Sequence, residues 1–129
     1  MSKTQTQVDS IIINQKKQLF LDVAQSRNTV PPNGQFNYQV YLKNISGNTI
    51  TNVRILIINP YEIDISGVPS TGKGFKIGSL KNGQSVLLNI KARASIKGYY
   101  FVNFIAFGDS AEIQYKTLKV KCSLDKDIE

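Results

Sequence analysis

The stretch Val86–Phe107, VLLNIKARASIKGYYFVNFIAF, decides the fold. Its first half alternates apolar with polar residues, so that Asn89 lies on the face opposite Ile90. Its second half also repeats with a period of two and is the most apolar segment of the chain. Lys97-Gly98 separates the halves and is typical of a turn. Period-two segments joined by a tight turn predict two antiparallel strands, the second of them central in its sheet.

The same pattern continues on both sides of this hairpin. No segment longer than one turn has the i, i+3, i+4 apolar spacing of a helix. The region from Tyr61 to Leu80 is less regular: Glu62–Ile65 is a candidate short strand, and glycines from Gly67 to Gly78 then punctuate a predicted loop that contains the short apolar segment Phe75–Ile77. The apolar phase changes within the last strand, which predicts a β-bulge near Lys116-Thr117. The other alternating strands begin near Leu19, Phe36, Val53 and Ile113.

About seven strands at spacings of ~8–12 residues indicate an all-β protein, an antiparallel immunoglobulin-like β-sandwich. We predict three parts: an N-terminal arm over residues 1–17, the sandwich over 18–124 and an acidic tail over 125–129. Because side chains alternate between the two faces of a strand, the phase also predicts the interior. The residues expected to pack there are Phe36, Tyr38, Val40, Val53, Ile55, Leu88, Ile90, Phe101 and Ile105.

Asn103 shares its phase with Phe101 and Ile105, so we expect it to be a structural buried amide. A buried amide needs hydrogen-bond partners, and the expected role of this one is to hold the backbone of a neighbouring loop. The alternative is an isopeptide bond with a buried lysine. That alternative is disfavoured because no lysine lies in an obviously inward phase.

For several other side chains the sequence allows two roles, one in packing and one in function. Cys122 is in phase with Leu118 and Val120, which predicts a small buried hydrophobe, and it is also a candidate for an intermolecular disulfide. Several tyrosines offer a stacking platform for a carbohydrate or nucleic acid, but packing is the stronger interpretation. They are Tyr38, Tyr41, Tyr99 and Tyr100.

The composition excludes several classes of chemistry. The 129 residues contain no His, no Trp and one Cys. A Ser-His-Asp or Cys-His catalytic group, an imidazole metal ligand and a Cys-rich zinc site are therefore impossible. Gly67–Gly74 approximates a phosphate-binding loop but lacks the final Ser or Thr and a following helix. We expect no enzymatic activity, no metal and no cofactor.

The charged residues suggest two further partners, a calcium ion and nucleic acid, and the sequence disfavours both. Glu62, Asp64 and Asp109 would bind calcium only if their loops met, and no loop clusters acidic residues as calcium sites do. There are 16 Lys and Arg against 9 Asp and Glu, a net charge of +7. The basic residues are scattered, with Lys16-Lys17 the only adjacent pair, which favours a solubilising surface over a nucleic-acid footprint.

The first residues are polar and lack the apolar core of a secretion signal. No apolar run approaches the ~20 residues of a membrane span. Within the arm, Val8, Ser10 and Ile12 share one strand face, and Ile11 and Ile13 share the other. β-branched residues in this pattern predict a strand, which pairs either with its own sheet edge or with the edge of a neighbouring subunit.

Three segments carry a family resemblance: YQVYLKNISGNTITNV (Tyr38–Val53), IGSLKNGQSVLLNI (Ile77–Ile90) and GYYFVNFIAFGD (Gly98–Asp109). Together they resemble the bacterial conserved-repeat domain of unknown function, an immunoglobulin-like surface module, and are similar to the bacterial cell-adhesion-related domain. The shared features are turn and core signals, which are specific for fold and weak for function. The resemblance implies a surface role and supplies no catalytic residues.

The predicted function is that of a non-enzymatic structural subunit in a bacterial surface assembly. In its sharpest form the subunit builds a filament, in which residues 8–13 add a strand to the next subunit. The alternatives are a monomeric adhesive module that binds a protein or glycan, and a basic protein associated with nucleic acid. The expected location is a surface assembled without a secretion signal, such as the spore surface, with the cytoplasm or a phage particle as alternatives.

Overall fold

The computed structural model describes residues 17–65 and 72–124, and every regular element within these ranges is a β-strand. The described part therefore contains no helix long and apolar enough to cross a membrane. Its nine strands are β1 Leu19–Gln25, β2 Thr29–Val30, β3 Gly34–Asn44, β4 Ile50–Ile58, β5 Ile63–Ile65, β6 Gly72–Leu80, β7 Ser85–Ala94, β8 Gly98–Phe107 and β9 Gln114–Cys122.

The strands form two sheets around one interior. The first sheet has four strands in the order β1-β3-β7-β5, and the second has five in the order β2-β9-β8-β4-β6. All pairs are antiparallel except the two-residue contact between β2 and β9. This architecture confirms the predicted antiparallel β-sandwich. The described strands outnumber the predicted seven or so partly because β2 and β5, of two and three residues, lie at sheet edges.

Strand β6 replaces the second part of the predicted loop, from Gly72 onwards. Its glycines pointed to a loop around Phe75–Ile77, but the whole of Gly72–Leu80 is extended and pairs with β4. Glycine weakens a strand because it supplies no side chain to pack. Pairing with β4 therefore holds this segment extended against its own propensity. Among the described strands β6 has one partner, β4.

Tyr38 joins the two sheets at the centre of the interior. Its ring packs edge-on against Phe36 of its own strand, with centroids 5.3 Å apart, and against Phe104 of the opposite sheet at 4.9 Å. Its burial raises the pKa of the phenol far above its usual value. Six of the predicted interior residues are buried, and Leu88 is partly buried against them. The six are Phe36, Tyr38, Val40, Val53, Ile55 and Ile90.

Strand β8 has the opposite phase to the one predicted. Phe101 is 56% exposed and Ile105 lies on the same outer face, whereas Val102, Phe104 and Ala106 are buried. The prediction was wrong because β8 is apolar in both phases, so its own periodicity cannot select one. Pairing selects it instead: Ala106 and Phe104 lie opposite the buried Ile55 and Ile57 of β4.

Asn103 consequently lies on the outer face as well. Its amide oxygen accepts a hydrogen bond of 2.6 Å from the Thr117 hydroxyl. The predicted buried amide at this position is therefore wrong. Two other amides are buried in the described part of the chain, Asn44 and Asn59.

The predicted bulge also lies elsewhere. The register of β8 and β9 is unbroken from Ala106 opposite Gln114 to Gly98 opposite Cys122, so there is no bulge at Lys116-Thr117. The register shifts instead in β4, between Ile50 and Arg54. Asn52 adopts a φ of 53° there, a left-handed conformation that Asn tolerates better than most residues.

The two ends of the sandwich hold different parts of the chain. We call one the arm end, because it carries Lys17, the first described residue, beside the turn over residues 45–49. The Lys17 amide donates to the Ser110 carbonyl at 2.6 Å. We call the other the tail end, because β9 finishes there, opposite Gly98. At the arm end, the buried Asn44 amide donates to the carbonyls of Asn48 and Leu80 at 2.6 and 2.7 Å, joining the two sheets.

Candidate functional site: two unlike outer faces

The outer face of the five-stranded sheet carries exposed apolar side chains. Tyr99, Phe101 and Tyr115 are 61%, 56% and 66% exposed, and Ile58 is 40% exposed. Tyr99 and Phe101 follow each other along the outer face of β8, and Ile105 lies opposite both Tyr115 and Leu56; the hydrogen-bonded pair Asn103 and Thr117 lies between these two groups. We call this surface the basic-aromatic face; it consists of Arg54, Leu56, Ile58, Lys76, Tyr99, Phe101, Asn103, Ile105, Tyr115, Thr117, Lys119 and Lys121.

Both ends of this face are basic. At the tail end the ammonium groups of Lys119 and Lys121 lie 5.0 and 5.6 Å from the centroid of the Tyr99 ring, within the range of a cation–π contact. At the arm end Arg54 lies opposite Lys76 across β4 and β6. No outward position on the described strands of this sheet carries a carboxylate. The apolar centre is thus framed by positive charge alone.

The side of this face towards the sheet edge is open. Gly74 lies opposite Leu56 and has no side chain to cover it. A Cβ atom placed on Gly74 would meet no atom within 4 Å. Leu56 therefore remains accessible beside the apolar centre rather than being covered from β6.

The sequence analysis did not predict the basic-aromatic face, because the outward position of its aromatic residues depends on the phase of β8, which was predicted wrongly. A usable signal lies in β9, where Lys119 and Lys121 alternate with the buried Val120 and Cys122. Residues directly opposite each other in an antiparallel pair share a face. Pairing β8 with β9 would have placed Tyr99 and Phe101 outside.

The outer face of the four-stranded sheet is apolar around Phe20, Tyr41 and Leu87 and polar from Gln39 towards the tail end. It contains an open pocket of about 400 Å³ where β1 ends against β3. The floor is small because Ala24 is the last outward side chain of β1. We call this the polar pocket; it is lined by Ala24, Gln25, Ser26, Asn37, Gln39, Asn89 and Lys91.

The groups that line the polar pocket are free to bind. Among the residues that the structure describes, the side-chain amides of Asn37, Gln39 and Asn89 make no hydrogen bond to the protein. Gln25 is held from one side, since its amide nitrogen donates to the Lys119 carbonyl at 2.9 Å. Its amide oxygen is buried without a hydrogen-bond partner.

The residues predicted to build the subunit contact, Val8, Ser10, Ile11, Ile12 and Ile13, lie outside the described residues, as does most of Gly67–Gly74. What is described is the position from which the arm departs. Lys17 pairs with Ala111 in a parallel bridge, and its carbonyl accepts from the Glu112 amide at 2.8 Å. The strand added by residues 8–13 stays a prediction.

Cys122 lies at the tail end of β9 and is buried as a free thiol. Burial raises the pKa of this thiol, which lowers its reactivity as a thiolate. It follows Val120 on the inward face of the strand. The intermolecular disulfide at this position stays a prediction.

The acidic residues considered for calcium lie at opposite ends of the sandwich. Glu62 and Asp64 are at the tail end beside β7. Asp109 is at the arm end, where its carboxylate accepts from the Thr51 hydroxyl at 2.8 Å and from the Asn52 amide at 2.6 Å. These two hydrogen bonds lower its pKa. Over residues 17–65 and 72–124, no three His, Cys, Asp or Glu side chains converge to hold a metal ion.

No protein-family model matches the sequence, and no curated protein matches it. Solved structures do share the fold. The crystal structure of the CARDB domain of PF1109 from Pyrococcus furiosus, in complex with di-metal ions, is similar with a TM-score of 0.63 and 17% identity; the match covers 84% of this chain and 90% of that one. The structural neighbours thus include CARDB domains, cell-adhesion-related domains of immunoglobulin-like fold.

Two further neighbours have other roles. Native alpha-2-macroglobulin from Escherichia coli, from domain MG7 to its C-terminus, matches with a TM-score of 0.66 and 10% identity, over 85% of this chain and 17% of that one. AvmM, which catalyses macrocyclization in alchivemycin A biosynthesis, matches with a TM-score of 0.55 and 8% identity, over 81% and 89%. At such identities the likeness establishes the immunoglobulin-like fold alone, since one fold hosts many functions.

Proposed function

We propose that this protein is a non-catalytic adhesive module whose basic-aromatic face docks an acidic surface of another protein. The observation that carries the proposal is the exposure of Tyr99 and Phe101 beside Lys119 and Lys121, with Tyr115 further along the same face. Exposed apolar patches with a polar rim mark interaction surfaces. Aromatic side chains are enriched in protein interfaces, where they act as anchors.

The charge of the basic-aromatic face indicates the charge expected on its partner. Every charged group on the basic-aromatic face is positive, so an acidic surface gains from each end while a basic one is repelled. The Tyr99 ring also holds two ammonium groups close to the apolar centre. A partner that offers carboxylates around one or two apolar side chains would satisfy both features at once.

Two lines of support favour adhesion over catalysis. The chain has no His and one Cys, which removes the common nucleophile and base pairs. The neighbours of similar fold include a CARDB domain, whose name refers to cell adhesion. A module of this kind is suited to a bacterial surface, and we propose that location, the spore surface being one example.

A selection of displayed peptides tests the docking proposal. Peptides enriched on the full chain should combine Asp or Glu with apolar residues. Their affinity should fall at least about tenfold in a Phe101→Ser variant, since a buried aromatic anchor contributes more than about 1.4 kcal/mol. Leu87→Ser is the matched control, because Leu87 is 54% exposed on the other sheet. Enrichment of peptides without acidic residues, or equal loss in both variants, would contradict the proposal.

A second candidate is the filament subunit, favoured by the position of β1 at the edge of the four-stranded sheet. β1 has seven residues and pairs with β3 on one side among the described strands. An edge strand accepts an added strand through its backbone groups. In this proposal residues 8–13 of one copy pair with β1 of the next, which yields a ring or an open filament.

Deletion of residues 1–14 tests the filament. The full chain should form large assemblies, visible by electron microscopy and gel filtration, and the shortened chain should be a folded monomer. A full chain that stays monomeric at high concentration would refute strand addition, as would a shortened chain that assembles equally well.

A further inference from the structure

The polar pocket lies on the sheet opposite the basic-aromatic face, so it forms an independent site. It exists because β1 stops at Gln25 while β3 and β7 continue beneath it. At this gap the backbone N–H of Asn37 donates to the Ser26 hydroxyl at 2.8 Å, and the backbone N–H of Ser26 donates to the Asn37 carbonyl at 2.9 Å. At about 400 Å³ the pocket falls within the size range of small-ligand sites.

The pocket presents polar groups in two paired rows. Gln39 of β3 lies directly opposite Asn89 of β7, and Asn37 lies directly opposite Lys91. Directly opposed residues have Cβ atoms about 5 Å apart, so the four side-chain ends converge over one small area. Each carboxamide offers one accepting oxygen and two N–H donors. None of the three is committed to another described residue.

The side chains that line the polar pocket are better suited to hydrogen-bond the hydroxyls of a neutral ligand than to bind a charged ligand. A sugar hydroxyl both donates and accepts, as the amide groups do together. The lining contains no carboxylate and a single cation, Lys91, so it offers little to a cation or a polyanion.

We propose that the polar pocket binds a neutral carbohydrate, one or two rings in size. The carboxamides of Asn37, Gln39 and Asn89 hydrogen-bond its hydroxyls, and Lys91 donates to one more. Because the site is on the opposite sheet from the basic-aromatic face, the module can hold a glycan and a protein together. This inference is independent of the proposed protein docking.

The test is an NMR titration of the full ¹⁵N-labelled chain with a panel of neutral mono- and disaccharides and of acidic sugars. At least one neutral sugar should shift the side-chain amide signals of Asn37, Gln39 and Asn89, with a Kd on the order of 1 mM. The Tyr99 and Phe101 amides should not move.

The variant Gln39→Val/Asn89→Val should bind that sugar at least about tenfold more weakly, and valine keeps the strands favourable. Asn103→Val, which removes an amide from the other sheet, is the matched control and should bind normally. Thermal unfolding of each variant checks the fold. The proposal is overturned if no neutral sugar shifts these signals, if only acidic sugars do, or if the double variant binds as the unaltered chain does.

Discussion

The two outer faces of the sandwich arise from the same strand alternation but carry different chemistry. On the four-stranded sheet the amides of Asn37, Gln39 and Asn89 lie together on the outer face, beside the apolar neighbours Tyr41 and Leu87. On the five-stranded sheet the outward side chains of β8 are as apolar as the inward ones. The fold requires only the inward set, so the outward set has another role. The comparison separates what stabilises the protein from what it presents to partners.

The largest expected difference is between the two faces of β8 itself. Phe104→Ala should lower the free energy of unfolding by about 3–5 kcal/mol, because the ring is fully buried against Tyr38. Phe101→Ala should lower it by less than about 1 kcal/mol, since more than half of the ring is exposed. Denaturant unfolding of both variants measures the contrast. The reverse order would show that β8 has the phase its sequence first suggested.

The wrong phase predicted for β8 also shows which strands can be oriented from the sequence alone. The phases of β1, β3 and β7 could be predicted because polar residues such as Asp22, Gln39 and Asn89 stand between apolar neighbours. β8 offers no such contrast, and its orientation depends on β4 and β9, which are distant in sequence. β6 was missed for a related reason, since its glycines favour a loop and only pairing with β4 makes it a strand.

The candidate sites could not be predicted either, because they depend on strand pairing rather than on a local sequence pattern. The basic-aromatic face depends on the phase of β8, so it could not be recognised before the pairing was known. The polar pocket is formed by residues from three strands at the point where β1 ends. The local sequence pattern does not show where β1 ends relative to the strands beside it. Tyr99 and Tyr41 were noted as candidate stacking groups, but only the tertiary structure places them on opposite sheets.

A second contrast, of intermediate size, is between a buried amide and an outer one. Asn44→Ala should lower the unfolding free energy by about 1–3 kcal/mol, because it leaves the buried Leu80 carbonyl without its donor. Asn103→Ala removes one exposed contact and should change it by less than about 0.5 kcal/mol. Equal effects in chemical denaturation would indicate that Asn103 has the structural role predicted from its phase.

The charge of the basic-aromatic face gives a smaller effect, seen in binding rather than in stability. The variant Lys119→Gln/Lys121→Gln should weaken the selected acidic peptide by up to about tenfold, as exposed ion pairs contribute at most about 1 kcal/mol each. The salt dependence of the affinity should fall in parallel. Lys91→Gln, on the other sheet, is the control. Isothermal titration at two salt concentrations measures both quantities, and an unchanged salt dependence would exclude the electrostatic contribution.

The smallest expected effect lies at the arm end, where Asp109 fastens the β8–β9 loop to β4. Hydrogen bonds from Thr51 and Asn52 lower its pKa in the folded state. A carboxylate with a depressed folded pKa stabilises the protein above its unfolded pKa, about 3.9, and loses that contribution as the pH falls through the folded value. The unfolding free energy of Asp109→Asn should therefore decline less on acidification than that of the unaltered chain. Parallel pH profiles would show that these bonds do not contribute.

One NMR experiment tests directly whether the two faces are separate recognition surfaces. The ¹⁵N-labelled full chain is titrated with the selected acidic peptide, and then with the neutral sugar while the peptide is bound. We predict that the peptide shifts amide signals of Tyr99, Phe101 and Lys119, and that the sugar shifts those of Asn37, Gln39 and Asn89 without releasing the peptide. Peptide shifts confined to the four-stranded sheet, or one ligand displacing the other from a shared set of residues, would contradict the account.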